Sequence, residues 1–186
     1  MNRYELLLFL HVVSVIVWLG TGTALTLVAL LSRGDRVLLE RLGPLGRTLG
    51  PRVFAPASLG ALVFGILLVL DGSWTFEPLW IKLGFGAFAV SFLLNVAVRA
   101  PLGRRVAKGE IDPRRAGLLF GRLALVELTV LYLAVADMIA KPTGGDVGTL
   151  VAGGAILGLV VAAAAGAARR QPPGESAVTG LDGTVN

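Results

Sequence analysis

The chain has 186 residues, of which 55% are hydrophobic and 25 are glycine, and its mean hydropathy is +0.79. This composition is too apolar for a soluble domain. The chain has no cysteine, which excludes disulfides, cysteine-ligated zinc and iron–sulfur clusters. The formal net charge of +5 is compatible with a nucleic acid or a membrane surface as the partner, and the positions of the basic residues decide between them.

Five long apolar runs follow one another along the chain, at residues 6–31, 53–70, 79–98, 118–140 and 147–168. Each is close to the ~20 residues that a helix needs to cross a bilayer, and none alternates as a membrane β-barrel strand does. The sequence therefore predicts an all-α polytopic membrane helix bundle with five transmembrane helices. We predict a four-helix core at 1–142, a fifth helix at 143–170 and, because it is polar and rich in Gly and Pro, a disordered cytoplasmic tail at 171–186.

Basic residues concentrate in the loops at 33–52 and 99–117 and after the last run, at 169–170. The opposite ends of the runs carry only Arg3, Lys82 and Lys141. Cytoplasmic loops carry an excess of Lys and Arg, so this alternation predicts that the N-terminus lies outside and the C-terminus inside. No aromatic residue interleaves with the basic ones, so the expected partner is the lipid bilayer and not a nucleic acid.

The first run contains His11, the only histidine of the chain, and helical spacing places it on one face with Ser14 and Trp18. Three interpretations stay open: a packing histidine that hydrogen-bonds a neighbouring helix, a haem or metal ligand, and a proton relay. A single histidine excludes bis-histidine haem within one chain, which leaves a five-coordinate haem on His11 or a haem held by His11 from each of two subunits.

Ionisable side chains are rare inside membranes and mark functional sites. Counted from the ends of the runs, His11, Lys82, Tyr132 and Asp137 fall at one level near the outer side. They would form an outer pocket if their helices are neighbours, although Lys82 could instead extend to the interface. Glu127 falls near the midplane, so a proton route would run from His11 through Ser14 to Glu127, with Asp137 as a further relay candidate.

The fifth run carries a small residue at every fourth position. Such a stripe lets another helix approach closely, either within the bundle or in a homodimer or larger membrane complex. The stripe consists of Gly154, Gly158, Ala162 and Gly166.

The segments "HVVSVIVWLGTGTA", "PLWIKLGFG" and "LAVADMIAKP" resemble a family of bacterial integral membrane proteins of unknown function, over residues 5–142. Its members carry a histidine and a Trp-x-Gly motif on helix one, a lysine at the start of helix three, and Met-x-x-Lys-Pro at the end of helix four. The resemblance implies a multi-pass protein of the bacterial plasma (inner) membrane. The matching positions are His11, Trp18, Gly20, Trp80, Lys82, Met138, Lys141 and Pro142.

That family is in turn similar to copper-resistance D membrane domains and to the four-helix protoporphyrinogen oxidase of bacteria, in which haem b is bound. The second similarity implies that His11 is a haem-iron ligand and that Lys82 contacts a tetrapyrrole carboxylate or acts in catalysis. The oxidase has a further histidine near the inner end of helix three, where this chain has Asn95.

Three functions therefore stay open, and with them the question of whether the protein is an enzyme. The first is a redox-associated membrane protein that binds haem or another tetrapyrrole with His11, Trp18, Lys82 and Tyr132. The second is a small proton-coupled transporter or channel-like protein that uses Glu127, Ser14 and Asp137. The third is a non-catalytic membrane subunit or assembly factor.

Overall fold

The computed structural model describes residues 2–31, 45–46, 48–72 and 74–169, with the side chains of 113–114 and 167–169 left aside. The regular elements of this part of the chain are all helical. Two π-helical segments occur, Gly50–Phe54 directly before α2 and Leu94–Arg99 between α3 and α4. The α-helices are α1 (Arg3–Leu31), α2 (Ala55–Asp71), α3 (Leu79–Leu93), α4 (Ala100–Ala107), α5 (Pro113–Ala140) and α6 (Val147–Arg169).

Five helical stretches are long and apolar enough to cross a membrane, which confirms the all-α prediction for the described part of the chain. The third stretch is longer than predicted, because the helix continues past Val98 through the π-helical segment into α4. The predicted tail at 171–186 lies outside the described residues. The five stretches are Arg3–Leu31, Gly50–Asp71, Leu79–Ala107, Arg115–Ala140 and Val147–Gly166.

The ends of the helices follow from local side-chain chemistry. At the start of α1, Asn2 and Glu5 bond each other's backbone N–H groups, as in a capping box (2.8 and 2.9 Å). At the start of α5, the Asp112 carboxylate accepts from the backbone N–H of Arg115 at 3.1 Å. The same helix ends at Ala140, and the next residue, Lys141, has a left-handed φ of 48° and is followed by a proline.

Helix α5 connects the bundle, because it packs against α1, α3 and α6, while α2 packs along α1. The core lies where α1, α2 and α5 meet, and Phe88 of α3 closes it by an edge-on contact with Trp18 at 5.9 Å. In contrast, the most apolar stretch of α6 has no buried residue. The buried core residues are Trp18, Leu19, Ala57, Ala61 and Leu131.

Candidate functional site at the contact of α3 and α5

Two carboxylates of α5 are buried, Glu127 with 6% of its surface exposed and Asp137 with 9%. Burying an ionised carboxylate is costly unless it is paired and hydrogen-bonded. The two residues differ in this respect, so their surroundings are the starting point for a functional interpretation.

Glu127 is held by three polar side chains of the neighbouring helix. Its Oε1 accepts a short hydrogen bond from Ser91 Oγ and a second from Asn95 Nδ2 at 3.1 Å, while its Oε2 forms an ion pair with Arg99. The three partners also connect with one another. Asn95 Nδ2 donates to the backbone oxygen of Ser91 at 2.9 Å, and Arg99 Nη1 donates to Asn95 Oδ1 at 3.4 Å.

The π-helical segment explains how one helix presents all three partners. Ser91, Asn95 and Arg99 are spaced at four-residue intervals, and in a regular α-helix the last would be rotated about 80° from the first. Asn95 and Arg99 lie in the π-helical segment Leu94–Arg99, whose i→i+5 bonds place more residues in each turn. The wider turn reduces this rotation, so Arg99 stays on the side that faces Glu127.

The network reaches from a closed interior to an open edge. Ser91 is 1% exposed and is the most deeply buried polar residue of the described part. Asn95 is exposed, and the Arg99 side chain is 20% exposed. The network is therefore covered by protein at Ser91 and uncovered on the side of Asn95 and Arg99.

Asp137 has no such partners within the described part of the chain. Neither oxygen of its carboxylate has a hydrogen-bond partner, and both are buried. Its backbone oxygen accepts from the N–H of Lys141 at 2.7 Å, which closes the last turn of α5. Ten residues separate it from Glu127, which is about 15 Å along the helix. Helix α5 thus carries two buried carboxylates, Glu127 with hydrogen-bond and ion-pair partners and Asp137 with no partner in the described part of the chain.

His11 lies on the face of α1 that packs against α2. Its Nδ1–H donates to the backbone oxygen of Ala61 at 2.9 Å, the inter-helical contact of a packing histidine. An ideal Cβ at Gly65 would lie 3.2 Å from Cε1 of His11, so a glycine makes room for the ring. In the neutral ring this arrangement leaves Nε2 as an acceptor or metal ligand.

The other predicted members of an outer pocket lie in separate surroundings. Lys82 Nζ pairs with Glu77 at 3.1 Å on the surface, with 55% of its side chain exposed. The hydroxyl of Tyr132 hydrogen-bonds Thr23 at 2.9 Å. Thr23 is twelve residues from His11, about 18 Å along α1. The predicted level shared by His11 and Tyr132 is therefore absent, since Tyr132 bonds a residue of the opposite half of α1.

The predicted proton route from His11 is not continuous in the described residues. Ser14 Oγ donates to the backbone oxygen of Leu10 at 2.7 Å, and His11 donates to Ala61. Trp18 lies in the apolar core together with Leu131. These residues build the contact of α1 with its neighbours, whereas the Glu127 network belongs to α3 and α5.

Ser91 and Arg99 have no role in the sequence prediction, although they hold Glu127. Arg99 counts there as a basic residue of a cytoplasmic loop, because the apolar run ends at Val98. The signal that finds them is a repeat of polar residues at 91, 95 and 99 on one helical face.

The small-residue stripe of α6 turns away from α5. An ideal Cβ at Gly154, Gly158 or Gly166 would meet no heavy atom within 4 Å, and Ala162 is exposed. By contrast, a Cβ at Gly153 would lie 3.9 Å from Leu133 of α5. Packing of the stripe against a second copy or another membrane protein remains a prediction.

No group of three or more histidine and acidic side chains that could hold a metal ion occurs among residues 2–31, 45–46, 48–72 and 74–169. A haem iron needs only one such ligand from this chain, so His11 stays a candidate. Comparison with protein-family models, curated proteins and solved structures finds no match. The family resemblance over residues 5–142 therefore remains a hypothesis, and the site is interpreted from its own geometry.

Proposed function

We propose that the protein is a small proton-coupled transporter or channel-like protein of the bacterial plasma membrane, in which Glu127 is the proton-binding group. The observation that carries the proposal is the buried network of Glu127 with Arg99, Asn95 and Ser91. Ionisable groups inside membrane spans mark proton and ion pathways, and π-helical segments are frequent at functional sites.

The proposed topology has the N-terminus outside and the C-terminus in the cytoplasm. It is supported by the five apolar helices and by the concentration of basic residues at 33–52, 99–117 and 169–170. The first four spans form the functional unit at 1–142, with the fifth at 143–170 and a cytoplasmic tail at 171–186. With this topology, Glu127 lies about 18 Å along α5 from Arg115, which is at the cytoplasmic end of the span.

Proton binding at Glu127 gives the network two states. When Glu127 is ionised, its carboxylate holds three side chains of the opposite helix, so α3 and its continuation stay against α5. A proton bound to Glu127 removes the charge that attracts Arg99. The Arg99 guanidinium is then an unpaired charge in an apolar contact, which favours its movement out of that contact. Because Arg99 ends the π-helical segment, its release moves the chain between α3 and α4 relative to α5. In this way one proton is converted into a displacement of two helices.

Asp137 supplies the outer end of the proposed path. A buried carboxylate without partners is stable only when it is neutralised, so we expect it to hold a proton. The gap of about 15 Å between Asp137 and Glu127 exceeds the length of a hydrogen bond, so transfer needs intervening water or a conformational step. The path continues on the cytoplasmic side through the exposed edge at Asn95 and Arg99.

Proton flux in liposomes tests the proposal. Protein is reconstituted with a trapped pH-sensitive dye and a potassium gradient is applied with valinomycin. Glu127→Gln is expected to reduce flux to the level of protein-free vesicles. Thr129→Val is a matched control, because the Thr129 hydroxyl donates to the backbone of its own helix at 2.8 Å and not to the network. Flux that is equal in Glu127→Gln and wild type would exclude this function.

Glu127→Gln leaves Arg99 without its counter-charge, so loss of flux could reflect misfolding. The double variant Glu127→Gln, Arg99→Gln removes both charges and keeps amide hydrogen bonds available. We expect it to be folded, by helicity and gel filtration, and still inactive in proton flux.

A second candidate function is tetrapyrrole binding, which the orientation of His11 favours. Metal-ligating histidines commonly donate their other ring N–H to a backbone oxygen, as His11 does to Ala61. His11 would hold the iron of haem b through Nε2, and the exposed ammonium of Lys82 would contact a propionate. Trp18 is buried in the apolar core and Tyr132 bonds Thr23, so this candidate function depends on His11. The haem would supply one-electron redox chemistry.

The test of this second candidate is an absorption spectrum of protein purified from haem-competent cells, oxidised and dithionite-reduced, with His11→Ala beside it. A Soret band that weakens or shifts in the variant supports a haem ligand. A folded protein without a band in either sample contradicts it, and leaves His11 with its packing contact to α2.

A further inference from the structure

Two tryptophan rings form an open corner at the end of the bundle where α5 ends. Trp80 lies in the first turn of α3, and Trp74 lies in the connection that precedes it. Their ring centroids are 5.5 Å apart and their planes are at 86°, so the rings stand at a right angle. Trp74 is 41% exposed and Trp80 is half-buried, so the corner is open to a ligand. In the proposed topology it faces outside.

The ammonium group of Lys141 occupies this corner. Its Nζ lies 5.0 Å from the ring centroid of Trp74 and 5.4 Å from that of Trp80, within the range of cation–π contacts. In the described part of the chain this ammonium has no carboxylate partner, and the carboxylate of Asp137, one turn earlier, stays without a bond. The two aromatic rings therefore hold a cation here without help from a counter-charge.

The walls of the corner are held in place without Lys141. An ideal Cβ at Gly72, directly after α2, would lie 2.8 Å from Cδ1 of Trp74 and 2.8 Å from Cε2 of Tyr4. Both rings therefore pack on the backbone at a position where no larger residue fits. Trp80 is carried by helix α3 itself. The corner thus remains when the exposed side chain of Lys141 moves into water.

We propose that this corner is the outer binding site for a small organic cation with a methylated ammonium group, and that Lys141 occupies the site when no ligand is bound. Aromatic faces suit such cations, because the charge is attracted by the rings and needs no hydrogen bond. Metal cations such as Ca²⁺ and Mg²⁺ require several oxygen ligands, which the rings do not offer.

The position of the corner connects it with the proton path, and this part of the inference rests on the function proposed above. Asp137 precedes Lys141 by about 6 Å along α5. A cation that moves inward from the corner meets a buried carboxylate that either a proton or the cation can neutralise. This competition would exchange the organic cation for a proton, which returns to the outer water.

Saturation-transfer NMR with choline as the probe tests the site on the full chain in dodecyl maltoside. We expect wild type to bind choline about tenfold more tightly than 3,3-dimethylbutan-1-ol, its uncharged isostere. Trp80→Leu should weaken choline binding about tenfold. Phe92→Leu is the matched control, because Phe92 is an exposed aromatic residue of the same helix, about 18 Å from Trp80. Equal binding of choline and its isostere, or equal binding in the two variants, would overturn the proposal.

Lys141→Gly tests whether the lysine occupies the ligand site. It removes the ammonium from the corner, and glycine suits the left-handed φ of 48°, so the variant is expected to fold. Choline affinity should rise about tenfold. Lys108→Gly makes the same substitution directly after α4, at the opposite end of the bundle, and should leave the affinity unchanged. An affinity in Lys141→Gly that does not exceed that of wild type contradicts occupation by Lys141.

Binding is measured without a gradient, so it does not depend on proton flux. If neither wild type nor Lys141→Gly binds choline, the two tryptophans only hold Lys141 and this inference fails, while the flux of Glu127→Gln still decides the proposed function. If choline binds as expected but a choline gradient moves no protons into wild-type liposomes, the exchange is excluded and the binding site stands.

Discussion

Arg99 and Glu127 form an ion pair that joins the π-helical continuation of α3 to the middle of α5. The Glu127 side chain is 7% exposed and that of Arg99 is 20% exposed, so the pair lies largely within the bundle. Both oxygens of the Glu127 carboxylate have partners. Arg99 pairs with Oε2, and Ser91 and Asn95 both donate to Oε1. The ion pair and these two hydrogen bonds therefore join the two helices through polar side chains.

Arg99→Gln is expected to destabilise the protein by about 3–5 kcal/mol, because it leaves the charge of Glu127 buried without its counter-charge. Unfolding in detergent, followed by circular dichroism, measures the effect. Arg104→Gln is the control. Its side chain lies on the exposed surface of α4, so a change within about 0.5 kcal/mol is expected. Similar midpoints for the two variants would show that the pair does not stabilise the fold.

The sequence was sufficient to predict the helical class and the five long apolar helices, because these depend on composition summed over about 20 residues. It was insufficient for contacts between helices. The apolar run that ends at Val98 predicts Arg99 in a loop, since the end of a hydrophobic run does not reveal that a helix continues. Levels counted from span ends also misplaced Tyr132, because the register of α5 on α1 is set by packing, such as that of Leu131 against Trp18.

Gly60→Ala is expected to loosen the contact of α1 with α2. An ideal Cβ at this position would lie 2.6 Å from Ser14 Oγ, whose hydroxyl is engaged with Leu10, so one of the groups must shift. Overpacking of this kind costs about 1–3 kcal/mol. Gly20→Ala is a matched control with open space around its Cβ, and it should be neutral or stabilising.

The double variant Gly60→Ala, Ser14→Ala distinguishes a steric clash from other effects of Gly60→Ala. Removing the hydroxyl should recover part of the lost stability. Thermal unfolding of the four proteins gives the coupling between the two positions. Additive effects would mean that Ser14 is not the group that Gly60 accommodates.

Asp146, in the connection between α5 and α6, gives a pH-dependent signal outside the spans. Hydrogen bonds from the backbone N–H of Thr143 (2.7 Å) and from its hydroxyl (2.8 Å) hold the pKa of Asp146 below its usual range. A lowered pKa in the folded state means that these bonds stabilise the turn above the unfolded-state pKa. The stabilisation is lost as the pH falls through the folded-state pKa.

The measurement is hydrogen exchange of the Thr143 amide in wild type and Asp146→Asn. At neutral pH the variant should exchange faster, because an amide oxygen accepts more weakly than a carboxylate. The difference should disappear in acid, once Asp146 is protonated. A difference that persists at low pH would assign the protection to the turn backbone and not to the carboxylate.

Asp137→Asn is expected to lower proton flux while leaving the fold intact, because asparagine resembles a protonated carboxyl group but cannot release a proton. Infrared spectroscopy provides a second readout, since a protonated carboxyl group has its own C=O band. We expect this band in wild type and in Thr129→Val, and we expect Asp137→Asn to lack it. If the band persists in Asp137→Asn, or flux is unchanged, Asp137 is not the outer proton site. Loss of the band without loss of flux would mean that Asp137 holds a proton that never leaves.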